Sequence, residues 1–273
     1  MQPRRLPVGF TLVELVVVIA ITGIIAGVVA VFLKQPIQGY FDAARRAEMT
    51  DTADTALRRM AREIKLALPN SIRITDAGQT LEFLLTRTGG RYRTEGTGFL
   101  DFSQATTSFA QLGPMSSGVG QSVVAGDQLV IYNLGIAGAD AYAGDNSAVI
   151  TSVDNSLPNE PVLNFTPKQF PFESPDARFQ VVAGAVTYAC QGAGNMNLTR
   201  YSGYATTPAQ TSAAGLAASA AARALAANNV SACTFSYNPG VTTRAGLVTL
   251  ILKITLDGES VQLYQEAHVS NVP

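Results

Sequence analysis

Between Phe10 and Leu33 the chain runs for 24 residues in which only Thr11, Glu14 and Thr22 are polar. As an α-helix rising about 1.5 Å per residue, the stretch spans roughly 36 Å, enough to cross the hydrocarbon core of a bilayer. A core helix of a soluble protein this long and this uniformly apolar would be unusual. A cleavable secretory signal also fits poorly. Arg4 and Arg5 supply a positive start, but the apolar run is too long for a signal core and passes into Lys34, Gln35 and Pro36 without a small-x-small cleavage site. A plain single-pass anchor suits the length and leaves Glu14 unexplained. A charge in a spanning helix is disfavoured by about 2–3 kcal/mol at the centre and less near an end, and it calls for a partner. No cation lies within helical reach inside the stretch. Gly23 and Gly27 form a G-x-x-x-G pattern that permits close helix approach but is weak alone.

What remains of the 273 residues is long enough for one large domain or two small ones. The formal net charge of −1 gives no reason to expect a nucleic-acid partner. Two cysteines, Cys190 and Cys233, and one histidine, His268, cannot fill a four-ligand zinc site within one chain. No G-x-S-x-G, P-loop or H-E-x-x-H occurs. His268 could act as a base with Glu266 on the same strand face, but a strand histidine of no catalytic role is the better reading. The chain is therefore read as a non-enzyme without cofactor. Asp140, Asp145 and Asn146 in "GADAYAGDN", followed by Asp154 and Asn155, make an oxygen-rich loop. It lacks the D-x-D-x-D-G spacing and closing Glu of a calcium loop, and Asp and Asn in turns mostly serve the backbone.

After the apolar stretch, Pro36 and Gly39 suggest a kink or loosened turn. From Tyr40 to Leu68 the pattern is amphipathic, with Leu57, Met60, Ala61, Ile64 and Leu68 at helical spacing, and Pro69-Asn70-Ser71 as the stop. Asp42/Arg46 and Asp54/Arg58 are favourable i,i+4 pairs. Strand patterns follow. "SIRIT" and "TLEFLLTRT" flank Asp76-Ala77-Gly78-Gln79, a hairpin signal, and "GDQLVIYN" is a short strand. "RFQVVAGAVTYAC" and "NLTRYSG" are strands joined by a Gly-rich turn. "GLVTLILKITLDGESVQLYQEAHV" is a hairpin about Asp257-Gly258, suited to a type I′ turn. Residues 101–126 and 134–175 read as loop blocks, the second holding five of the 13 prolines. Ala213 to Ala227 reads as a short helix or a loop.

"GFTLVELVVVIAITGIIAG" resembles the N-terminus of type IV prepilins and of type II secretion pseudopilins. Gly9, Phe10, Thr11, Leu12 and Glu14 match that family pattern position by position, after a short basic leader carrying Arg4 and Arg5. The resemblance implies cleavage between Gly9 and Phe10 by a prepilin peptidase, and N-methylation of the new Phe10 amine. It also implies that Glu14 faces the N-terminal amine of a neighbouring subunit during assembly. The implied fold is α+β: a long N-terminal helix, transmembrane and then amphipathic, packed on an antiparallel β-sheet head. The implied organisation is a leader over 1–9, a transmembrane and assembly helix over 10–35, an amphipathic helix over 36–69 and a periplasmic β-rich head over 70–273. In an exported head Cys190 and Cys233 are expected to pair, closing a disulfide loop over 190–233. On the chain-entropy account that closure contributes roughly 3–4 kcal/mol.

A head of this size, with "GAVTYAC", "LTRYSGY", "NNVSACTFSYNPG" and the C-terminal hairpin, resembles minor pilins of the mannose-sensitive haemagglutinin (MSHA) class. That implies a subunit that initiates or caps a pilus as part of a tip complex. Its partners would be the prepilin peptidase, other minor pilins, the major pilin, the inner-membrane assembly platform and, before assembly, membrane lipid. It would sit in the inner membrane as a single-pass protein with a periplasmic head, and on the cell surface in the pilus. A J-type pseudopilin of a type II secretion system shares the plan, and a tip adhesin or ligand-binding module is the alternative of a different class, with loops 101–126 and 134–175 as candidate binding regions.

Overall fold

The computed structural model describes residues 9–116, 118–192, 196–219, 221–240 and 245–273. The chain divides into two compact units, Met1–Glu48 and Met49–Pro273. One helix, α1, is assigned from Leu12 to Ile64 and continues through Pro36 and Gly39, where the sequence suggests a loosened turn.

In the first unit every side chain described from Gly9 to Lys34 is exposed. This part of α1 is long and apolar enough to cross a membrane. Its apolar surface has no polar stripe to turn towards water, so lipid or another helix is the solvent it suits.

In the second unit α1 obeys a different rule. Met49, Ala53, Ala56, Leu57, Met60, Ala61 and Ile64 are buried and recur at i, i+4, i+7, i+8, i+11, i+12 and i+15, one stripe of a 3.6-residue helix. The stripe packs against Leu81, Phe83, Val186, Tyr188, Leu250, Leu252 and Ile254 of the sheet. Outside the stripe, Arg58 Nε meets Asp54 Oδ2 at 2.6 Å, and Asp42, in the first unit, accepts from Arg45 at 3.2 Å. The helix ends at Ile64, so the amphipathic helix expected over 36–69 is four to five residues too long. The reason is a competing set of hydrogen bonds. Leu68 N–H donates to Leu84 C=O at 2.8 Å and Thr86 N–H donates to Leu66 C=O at 2.9 Å, which draws residues 66–68 onto the sheet.

The sheet is antiparallel throughout. Its strands are β1 (Arg73–Thr75), β2 (Thr80–Tyr92), β3 (Thr106–Leu112), β4 (Gln128–Ile131), β5 (Ser147–Asp154) and β6 (Val162–Lys168), then β7 (Arg178–Gln191), β8 (Met196–Ser202), β9 (Ala222–Asn238), β10 (Gly246–Leu256) and β11 (Glu259–Val269). The long run β2–β7–β8–β9–β10–β11 carries the helix on one face, with β1 beside β2. Both expected hairpins are present. The turn between β10 and β11 has positive φ at Asp257 (51°) and Gly258 (87°), the signature of a type I′ turn. Together these make the chain α+β, a long helix followed by an antiparallel sheet.

The middle of the chain departs from the loop reading. β2 pairs with β3, β3 with β6, β6 with β5, β5 with β4, β4 with β7, and β7 again with β2. These six ladders close a ring. Inside it lie Tyr92, Phe109, Leu129, Ile131, Ile150, Leu163, Phe165, Phe170, Phe179 and Val181, all buried. Three rings contact the Phe109 ring, with centroids 5.2–6.2 Å away, in the range of edge and tilted aromatic pairs. Residues 101–126 and 134–175 therefore contribute β3, β5 and β6 to a small barrel with its own aromatic core. Gly89 and Gly90 sit on β2 where sheet and barrel share the β2–β7 ladder. A Cβ on Gly89 would lie 2.8 Å from Phe179 O, and one on Gly90 would lie 2.9 Å from the Phe179 ring, so both positions require glycine for this approach.

The alanine-rich segment also divides differently from the helix or loop expected over Ala213–Ala227. α2 covers only Ala213–Ala218, capped by Ser212 Oγ accepting from Gly215 N–H at 3.2 Å. From Ala222 the same residues join β9, paired with β8.

Candidate functional site

The first turn of α1 gathers most of the residues singled out in the sequence. Thr11 stands at the N-cap. Its Oγ1 accepts from Glu14 N–H at 3.3 Å, and its carbonyl accepts from Leu15 N–H at 3.2 Å. Thr11-Leu12-Val13-Glu14 thus has the T-x-x-E spacing of a capping box, a signal legible in the sequence that the reading of Glu14 as an isolated charge overlooked. An acid in the first turn also meets the positive end of the helix dipole. Helix chemistry alone therefore favours a carboxylate at Glu14 by a few tenths to 1 kcal/mol. Among the described residues Glu14 has no ion-pair partner, so its charge stays available to one from outside the chain. Gly9 and Phe10 precede the helix and are exposed, Phe10 at 80%. A bond between them is accessible to an enzyme. Arg4 and Arg5 lie outside the described residues.

Cys190 and Cys233 form a disulfide with Cα atoms 6.6 Å apart. It joins β7 to β9, the strands on either side of β8, and encloses β8, α2 and the start of β9. Both cysteines are buried in the core that packs under α1.

Two polar clusters fix the head around these elements. Glu63 of α1 receives Arg200 Nε of β8 at 2.9 and 3.2 Å, and Arg59 Nε at 3.4 Å, tying the end of the helix to the sheet. Burial, together with the Glu63 carboxylate, pushes the Tyr188 phenol well above its ordinary value. On the first hairpin the buried Glu82 binds Arg73 Nε at 3.0 Å and accepts from Tyr204 OH at 3.1 Å. Arg73 also donates to Pro208 C=O at 2.8 Å and Thr207 C=O at 3.0 Å, and its guanidinium lies 3.6 Å over the Tyr142 ring. One ion pair thus anchors two loops that have no regular structure of their own. Burial, then the Glu82 carboxylate, pushes the Tyr204 and Tyr142 phenols up.

The oxygen-rich loop serves its own backbone. Asp140 Oδ1 accepts from Tyr142 N–H at 2.9 Å, Asp145 Oδ2 accepts from Gly138 N–H at 2.9 Å, and Asn146 donates to Asn133 Oδ1 at 3.3 Å. Asp154 accepts from Ser156, which holds its carboxyl below the usual range. Among the described residues no three His, Cys, Asp or Glu side chains gather as a metal site would need. His268 and Glu266 lie together on the exposed face of β11, and Glu266 accepts from the Tyr264 hydroxyl. No family model matches the chain, and neither the curated proteins nor the solved structures include a significant match.

Proposed function

We propose that this chain is a minor pilin, a structural subunit that initiates or caps a type IV pilus of the MSHA type within a tip complex. The observation that carries the reading is the placement of Glu14. It is the one charge in the fully exposed apolar stretch from Phe10 to Leu33, four residues after an accessible Gly9–Phe10 bond. After cleavage there, Phe10 becomes the first residue and its amine the nearest cation on a neighbouring copy of the same helix type. In low dielectric the attraction between that amine and the Glu14 carboxylate is strong and directional, though desolvation cancels much of it. The pair then acts mainly as a register device when the subunit leaves the membrane.

The helix-on-sheet head supports the same reading. An apolar helix that is left uncovered, continuous with a helix whose stripe is buried on its own sheet, suits a subunit stored in lipid and later packed among other helices. The head would be periplasmic, which agrees with a buried disulfide. Mass spectrometry of sheared surface filaments is the test. A peptide beginning with N-methyl-Phe10 is expected. A chain absent from filaments and retaining residues 1–9 would overturn the reading.

A further inference from the structure

The geometry points to β11 as a docking edge, to which a neighbouring subunit adds a β-strand carrying an apolar inner row and a Lys or Arg opposite Glu266. β11 is the last strand in the sheet order, and all eleven of its residues pair with β10 without a register shift. Such an edge is about 36 Å long. Exposed edges are normally blunted by charged side chains, Lys above all, by Pro, a bulge, a short length or a covering segment. Glu259–Val269 contains no Lys, Arg or Pro, and its ladder has no bulge. The opposite edge, β1, is only three residues long. The C-terminal tail turns away from the edge, because Asn271 donates to Tyr237 OH and Pro239 C=O at 2.7 Å and accepts from Asn70.

The hairpin also sets which groups face outwards. In a two-residue hairpin the pair flanking the turn, here Leu256 and Glu259, exchanges both hydrogen bonds. By alternation Ser260, Gln262, Tyr264, Glu266 and His268 direct their N–H and C=O groups away from β10. Their side chains are also exposed, Tyr264 at 58%. On the inner row Val261 and Leu263 are only partly buried, although they pack against the main core. An added strand would cover them with its own apolar side chains. Glu266 is the only formal charge in the outward row, so a strand with a Lys or Arg opposite it is the complementary one.

This surface rests on the reading of the chain as an assembly subunit, and one experiment separates the two. The full chain is made in its own cells with photoreactive benzoylphenylalanine in place of Tyr264, irradiated, and its adducts identified by mass spectrometry. One dominant adduct is expected, on an extended segment of another exported subunit that alternates apolar residues and carries Lys or Arg. Gln262→Pro removes an outward N–H without touching the β10 ladder, and Glu266→Lys reverses the charge. Each is expected to lower the adduct about tenfold, the change for roughly 1.4 kcal/mol, with the melting of the chain unchanged. No adduct, an adduct to a second copy of this chain, or an adduct indifferent to both variants would overturn the proposal. The same sample reports residue 10. A retained leader with a strong edge adduct would sink the pilus reading alone, and methylated Phe10 without an adduct would sink the edge alone.

Discussion

Arg73 and Glu82 face each other in register on the first hairpin, 3.0 Å apart, with the Glu82 side chain 1% exposed. A carboxylate that deep is tolerated only because Arg73 and Tyr204 both bind it. Arg73→Met should therefore destabilise the head by about 3–5 kcal/mol, the penalty for a buried charge left without its partner. Adding Glu82→Leu should recover much of that loss. Urea unfolding of the full chain in detergent measures both. Equal midpoints for the native chain and Arg73→Met would refute the account.

At the other end of the chain, cap and charge can be separated. Thr11→Ala removes the N-cap acceptor and should weaken the first turn by about 1 kcal/mol, with leader cleavage and filament incorporation retained. Glu14→Ala should leave insertion and cleavage intact and block incorporation. Glu14→Gln, which keeps the side-chain length, should behave like Glu14→Ala if charge is what matters. Immunoblots of membrane and sheared-filament fractions read all three. Normal incorporation of Glu14→Ala would end the pairing role.

The disulfide closes a loop of sequence separation 43. Replacing both cysteines by serine should lower the stability of the head by roughly 3–4 kcal/mol on the chain-entropy account. The loss should appear in guanidinium unfolding of the full chain, and dithiothreitol should affect only the native protein.

Alkaline pH should unfold the head. Tyr92, Tyr142, Tyr188, Tyr204 and Tyr237 all have phenols raised above their ordinary value, each first by burial. The native state then holds protons that the unfolded state gives up. The stability from this source is fully present below the unfolded phenol value of about 10 and falls as pH rises through the folded values. Absorbance at alkaline pH should show these phenols ionising together with the loss of tertiary structure. Independent titration near pH 10 in a folded chain would contradict this.

Some of the fold was legible because its causes are local. The C-terminal hairpin follows from Asp257-Gly258, two residues that accept positive φ between alternating strands. The helix stripe from Leu57 to Ile64 follows from spacing. The barrel was not legible. β6 contains Pro167, and Pro argues against a strand until its place is known. It lies in the stretch where the β3–β6 ladder shifts register, an irregularity that accommodates a residue without N–H. In β3 and β5 Phe109 and Ile150 face a core that exists only once all six strands have met, while Leu112 and Val149 stay exposed, so neither strand shows a clean inward row. Likewise Leu66–Leu68 continue a helical pattern, and only Leu84 and Thr86, brought alongside by folding, take their hydrogen bonds away.

By itself the sequence determined the apolar helix, its single carboxylate and the Thr11 cap beside it, because hydropathy and helix capping act over a few neighbouring residues. Tertiary structure alone decided the closed barrel, the early end of α1 and the burial of Glu82 against Arg73. Each depends on hydrogen bonds and contacts between segments far apart in the chain, whose pairing no local pattern encodes.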